Sequence, residues 1–524
     1  MGQKMVLFAI MSVLLVFVLA GCGGGGPVDV AETVTPEAPP SETPAQPFAD
    51  TGGEIAENLL YSTFLGGASL DISGTMAMDD TGTAYFAAIT RSDDFPVTDA
   101  AYDASFNGGS SEGEDDVAVV GFDARQNELV YASYLGGSEG PDIFSQIRLK
   151  DGSIYIAGST GSPDFPVTDD AYDPVFHGPM ARHADGFFSK LSGDSLAYST
   201  YFGSGGQDFL TDILIGNDGD VLLVGQIAEA GDMTFSHTFS DEMLENAPSV
   251  CLLRFDAGLD RLLSASLLGP AEAGVKAVSD RDGNIYITGT TQSAGFPVTQ
   301  GAYDTTYNEA GDVFLLKLSP EGDELLFSTY LGGSGYDAGP SICLDDDGHV
   351  ILYGSTQSPD FPLTEDALDG TMDGESDLFI AKITGDGGDL LYASFLGGTE
   401  IDGTGFVGEA AGNAAALPDG HILLCGTTTA PDHPTTAGAV SERNSGGEDV
   451  FITLLDPDLA GIAYSTYVGG GQNDLYPAVW MDGDGAITCV CTTQSPDFPV
   501  TPGAYDASFN GVYDIAVFTL RPAP

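Results

Sequence analysis

A heptapeptide of the form Tyr-Ser-Thr-Tyr-Leu-Gly-Gly returns seven times, beginning at Tyr61, Tyr131, Tyr198, Ser264, Phe327, Tyr392 and Tyr464. Successive copies start 63 to 72 residues apart. A near-constant period of this length means one supersecondary unit copied along the chain, each copy burying its apolar faces against its neighbours. Any fold proposed for the chain has to seat seven such units.

The unit is clearest from Asp337 to Gly398. Four short apolar runs follow one another: Ala338 to Leu344, His349 to Ser355, Asp377 to Ile383 and Asp389 to Leu396. They are rich in Ile, Val, Leu, Phe and Tyr and bounded by Gly and Asp, which predicts four β-strands. Asp-Gly recurs between the first two runs, at Asp151-Gly152, Asp218-Gly219, Asp282-Gly283, Asp347-Gly348 and Asp419-Gly420. These pairs tolerate the positive φ of hairpin turns, so the first two strands form a hairpin. The middle strands are nearly continuous apolar runs, so both faces of each sheet must be covered. Seven four-stranded antiparallel sheets arranged radially meet that demand, and the expected fold is an all-β, seven-bladed β-propeller. A solenoid of stacked sheets is the alternative.

The ends support a closed ring. The first recognisable strand, Asn58 to Leu65, matches the fourth strand of a unit, and the last, Asp514 to Leu520, matches the third. The N-terminal strand is therefore expected to complete the last blade and remove two exposed sheet edges.

Ahead of the repeats, residues 1–21 have the form of an export signal. Lys4 precedes an apolar run from Met5 to Ala20, followed by Leu19-Ala20-Gly21-Cys22. This segment resembles the lipobox of bacterial lipoproteins. The resemblance implies a mature chain beginning at a lipidated Cys22, exported and lipid-anchored at the outer membrane or cell surface. Residues 22–53 then read as a Pro-, Gly- and Glu-rich tether without apolar periodicity, and 54–524 as the propeller. The chain carries 78 acidic residues against 15 Lys and Arg, for a net charge of -63. That balance excludes nucleic-acid binding through a basic patch. The remaining cysteines, Cys251, Cys343, Cys425, Cys489 and Cys491, sit in strand-like runs and are read as buried small apolar groups, with a disulfide among them as the alternative.

Between the second and third strands lies Ser-x-Asp-Phe-Pro-Val-Thr followed by Ala-Tyr-Asp. Phe-Pro occurs at Phe95-Pro96, Phe165-Pro166, Phe296-Pro297, Phe361-Pro362 and Phe498-Pro499, with His433-Pro434 as a variant. Together with Asp-x-Phe-x-x-Lys-Leu and the heptapeptide, this pattern resembles the SBBP repeat family of bacterial seven-bladed propellers over about residues 55–521. The family implies a secreted or surface repeat domain and no general catalytic role. The third unit departs from it, lacking Phe-Pro around Ala228 to Pro248 and closing on the degenerate Ser264 to Pro270.

Two series of aspartates recur once per unit. Asp71, Asp142, Asp208, Asp337, Asp402 and Asp474 follow Leu-Gly-Gly and precede the innermost strand, so they are candidate carboxylates at the channel mouth. Their candidate ligand is a cation, calcium included, or a cationic group; the plainer reading is that each bonds loop amides. Asp116, Asp185, Asp312, Asp377, Asp449 and Asp514 precede the third strand and are read as structural. The Phe-Pro pairs are expected to plug the grooves between blades. The long connections between second and third strands are expected to enlarge one face of the disc, where a ligand would sit.

No catalytic constellation emerges. Asp345-Asp-Asp-Gly348 fails the EF-hand spacing: with Gly348 as the sixth position, the first and twelfth, which need carboxylates, are Cys343 and Gly354. Gly136-Gly-Ser138-Glu-Gly140 has Pro141 where a nucleophile elbow needs a helix. His177, His183 and Asp185 share one long loop as a weak metal candidate. The expected function is a monomeric binding scaffold for a protein or polysaccharide, with no resident cofactor. The alternative is a hydrolase or lyase with a carboxylate-lined site in the channel.

Overall fold

The computed structural model describes residues 56–108, 114–178, 185–228, 233–240, 248–374, 376–398 and 413–522. The leader, Cys22 and the tether lie outside the described residues, as do His183 and Asp402. Seven sheets, each built on four antiparallel strands in meander order, make seven blades, and the third sheet carries a fifth, two-residue strand. The innermost strands are Asp71–Met78, Asp142–Lys150, Phe209–Ile215, Ala273–Ser279, Asp337–Leu344, Ala414–Ala416 and Asp474–Met481. Neighbouring blades meet along these strands, and the last of them lies against the first, so the ring is closed.

Closure uses the N-terminal strand as expected. Leu59–Leu65 pairs antiparallel with Asp514–Leu520, in register from Tyr61 opposite Thr519 to Leu65 opposite Ile515. Residues 59–65 thus supply the outer strand of the last blade, which would otherwise end on an open edge.

The apolar runs sort into seven clusters, each made by two adjacent blades. One joins Leu65, Val490 and Val517 of the last blade to Phe86, Val120 and Tyr134 of the first. This explains the unalternating middle strands: one face of each sheet belongs to one junction and the other face to the next. The Phe-Pro rings fill these junctions. Phe165 lies 4.5 Å from Phe187 and Phe296 lies 4.3 Å from Phe314, centroid to centroid. His433 takes the same place against Phe451 at 4.2 Å, and burial lowers its pKa to about 3, so it packs as a neutral ring. The five described cysteines are free.

Two sequence expectations are refined. The long connection between second and third strands starts beside the Leu-Gly-Gly loop, as expected, with Ala68 N donating to Asp94 Oδ1 at 2.8 Å. It turns along the outer strand and covers its edge: Thr98 N donates to Ala132 O at 3.1 Å, and Tyr134 N to Asp103 O at 3.0 Å. The same pair of bonds recurs around the ring, ending with Thr501 to Ser62 and Phe64 to Asp506. In the third blade, which lacks Phe-Pro, a two-residue strand at His237–Thr238 does this work, parallel to Leu262–Pro270. The Asp-Gly turns also differ among themselves. Only Asp151-Gly152 has positive φ at both residues, a tight two-residue connection. At Asp280 and Asp345 the turn is wider, and the leading carboxylate accepts two amides of its own turn.

Candidate functional site

The two aspartate series, separate in sequence, meet in space. Asp71, Asp142, Asp208, Asp337 and Asp474 are fully buried at the start of their innermost strands. Each turns back to accept an amide from the loop that delivers it: Gly67 N to Asp71 Oδ2, Gly137 N to Asp142 Oδ2, Gly333 N to Asp337 Oδ2 and Gly470 N to Asp474 Oδ2, all at 2.7 Å. A hydroxyl from the second strand or the loop after it adds to this, as Thr90 Oγ1 does to Asp71 Oδ1 at 2.6 Å. The carboxylates expected at the channel mouth therefore lie inside the blade, engaged with their own loops.

The aspartates that open the third strand are equally buried. One oxygen of each accepts an amide from the end of the long connection, as Asn107 N donates to Asp116 Oδ2 at 2.7 Å and Ser445 N to Asp449 Oδ2 at 2.6 Å. Their other oxygen points at the first glycine of Leu-Gly-Gly. A Cβ added to Gly136 would come within 3.0 Å of both Asp116 Oδ1 and Asp142 Oδ2. Gly66 stands likewise between Asp514 and Asp71, Gly203 between Asp185 and Asp208, Gly332 between Asp312 and Asp337, and Gly469 between Asp449 and Asp474. Burial pushes Asp185, Asp312, Asp449 and Asp514 up to about 7, and the facing carboxylate of the next blade adds to each shift. Burial likewise raises Asp116 to about 7 and Asp71, Asp337 and Asp474 to about 6. In Asp142 burial comes first and the charge of Asp116 adds to it.

The third blade lacks the pair as a unit. Ser249 stands where the other blades open their third strand with Asp, since it lies opposite Ile227 as Asp116 lies opposite Thr90. Gly269 meets Pro297 and Phe296 instead of carboxylates.

The weaker candidates resolve into structure. Ser138 Oγ donates to Asp164 Oδ2 at 2.5 Å, so Ser138 ties its loop to the next one. His177 offers Asp185 its backbone amide at 2.6 Å, while its ring faces Asp173 at 3.1 Å. Asp345, Asp347 and His349 bring ligand atoms within 4.8 Å of one another, but Lys382 Nζ already occupies Asp345 Oδ2 at 2.7 Å.

At the opposite end of the channel, where the innermost strands finish, lies a groove of ≈ 310 Å³. It is lined by Arg148 and Lys150, Ile213 to Ile215, and Ala277 to Ser279. Arg148 Nη2 pairs with Asp212 Oδ1 at 2.8 Å, and Asp212 Oδ2 accepts Ala277 N at 2.9 Å, so one ion pair joins three blades. Trp480, the only tryptophan, is 47% exposed on the same end of the ring, at the last turn of its innermost strand. Sequence reasoning missed these residues. Their signal was rarity: one Trp, and two of 15 cations within three residues.

The SBBP β-propeller repeat matches residues 278–297. No curated protein matches the chain. Among solved structures, a protein of unknown function from Dyadobacter fermentans is 13% identical, with 89% of this chain and 99% of that chain covered and a TM-score of 0.40. An ulvan lyase, a polysaccharide lyase bound to a GlcA–Rha3S oligosaccharide, is 9% identical over 84% and 94% of the two chains, with a TM-score of 0.43. The quinohemoprotein alcohol dehydrogenase of Comamonas testosteroni is 10% identical over 89% and 77%, with a TM-score of 0.40. Likenesses this distant carry nothing about activity.

Proposed function

From a chain of SBBP β-propeller repeats closed into a seven-bladed ring, we propose a binding scaffold, exported and held to the outer membrane or cell surface by lipid on Cys22. The ring is a monomer, and its partner is a protein or polysaccharide. The observation that carries this reading is the end of the channel with Trp480, Arg148 and Lys150. An exposed indole is a flat apolar surface with one donor, suited to a sugar face or an apolar side chain. Lys150 adds a positive charge to a chain of net charge -63, so an anionic partner is favoured here and repelled elsewhere.

The test is a glycan array and pull-down with residues 54–524. Trp480→Ala and Lys150→Glu should each weaken the captured interaction about tenfold or more, as central aromatic and charged contacts do. Unchanged binding in both variants places the partner elsewhere. Palmitate labelling of the full chain and of Cys22→Ala tests the anchor; equal labelling removes it.

The aspartate pairs favour a second reading, since raised carboxyl pKa values are what acid–base catalysis in a hydrolase or lyase needs. Turnover of a polysaccharide, lost in Asp116→Asn, would establish it. Against it stands the complete burial of those carboxylates.

A further inference from the structure

The geometry points to a calcium site at each blade junction where two aspartates face each other across the first glycine of Leu-Gly-Gly. Three observations converge, independently of the partner proposed above. First, one carboxylate oxygen is left over. Asp116 Oδ1, Asp185 Oδ1, Asp312 Oδ1 and Asp449 Oδ1 are buried and accept no hydrogen bond. An orphaned anionic oxygen inside a protein is costly unless something positive meets it. Second, all four are aimed at the side of a glycine where an added Cβ would come within 3.0 Å of both the orphaned oxygen and an oxygen of the facing aspartate. Glycine there keeps a cradle open between two carboxylates. Third, the two aspartates disappear together. The third blade has Ser249 in place of the first, and no carboxylate beside Gly269. Capping a loop amide would not require the second aspartate to go with the first; sharing one ligand would.

The donor set names the ligand class. It contains carboxylate oxygens without nitrogen or sulfur, which selects a hard divalent cation. Calcium accepts irregular sets of six to eight oxygens, so loop carbonyls and water can complete the shell. Two carboxylates and one Ca²⁺ are also neutral together, which relieves the like-charge contact. At the ring closure the arrangement differs: Asp514 Oδ1 accepts Ile515 N at 2.9 Å, so that pair has no oxygen to spare. The ions would staple the outgoing strand of one blade to the incoming strand of the next.

The experiment uses the full chain, stripped with chelator and titrated with calcium near neutral pH, with bound metal counted by elemental mass spectrometry. Saturable binding of at least four ions per chain is expected, one for each of the four described junctions named above, with a rise in Tm. Asp116→Asn and Gly136→Ala should each remove one ion. Asp346→Asn, on an exposed turn, should remove none and controls for diffuse attraction to an acidic surface. If a variant fails to fold, the stoichiometry of the unaltered chain still decides. Absence of saturable binding overturns the proposal, as does equal stoichiometry in all three variants. A stripped chain stabilised by acid and indifferent to calcium would also overturn it, assigning the space between the carboxylates to a shared proton.

Discussion

At the scale of single residues, the junction aspartates make the ring sensitive to pH in a definite direction. Asp116, Asp312 and Asp449 are raised from 3.8 to about 7 by burial. Between those two values the folded chain holds more protons than the unfolded one, so stability falls as pH rises through that window. In the presence of chelator, Tm is therefore expected to increase as the pH is lowered from 8 toward 5, measured by scanning calorimetry. This is opposite to the usual acid destabilisation by paired carboxylates. Saturating calcium should flatten or reverse the slope, because the ion competes with the proton for the same oxygens. The rule for reading such residues is local. Asp142 and Asp116 each repeat once per unit, and each looks like a turn residue on its own. Only the crossing of two loops over Gly136 brings them together, and no spacing in the sequence encodes that crossing.

At the scale of the element, each long connection acts as a cover for an outer strand. Thr299 shows how. Its N–H donates to Ser328 O at 3.0 Å, and its Oγ1 accepts Ser328 N at 3.0 Å, closing a two-bond clasp on the strand edge. Thr299→Val keeps the shape and removes the two bonds of Oγ1, leaving Ser328 N without its acceptor. The expected cost is about 1–2 kcal/mol in urea unfolding. Exposed edges invite pairing between chains, so the variant should also aggregate faster on partial unfolding, followed by light scattering. The strands themselves, their hairpins and the four-per-blade count were legible, because period, apolar runs and Asp-Gly turns all report on local backbone. The path of the connection was not. Pro and polar residues announce an irregular segment, but they do not say which surface it follows. In the third blade His237–Thr238 covers the same edge with none of the motif, so the covering depends on backbone bonds more than on side chains.

At the scale of the whole molecule, seven nearly equal junctions share the apolar core, and the ring is stable only if all seven are made. The channel end carrying Trp480 and Lys150 is the part of the molecule that the repeat does not explain. Motifs that recur serve the scaffold; residues that occur once are where this chain differs from its own average, and they were invisible to a reading built on recurrence.

The backbone at the seam has a further consequence. Arg521 N donates to Asn58 O at 2.9 Å, so the first and last strands of the propeller end side by side. The architecture is thus indifferent to where the polypeptide begins. Joining residue 522 to residue 57 by a short linker and opening the chain between Gly66 and Asp71 would make every blade contiguous. Such a circular permutant should form the same ring and fold faster, since the pairing of Tyr61 with Thr519 changes from the longest loop in the chain to a hairpin. It should also unfold at a lower denaturant concentration, because its new seam is held by packing between two blades with no shared strand across it. Stopped-flow refolding and a denaturant titration would measure the two effects separately. The natural order of the chain trades speed of assembly for a latch.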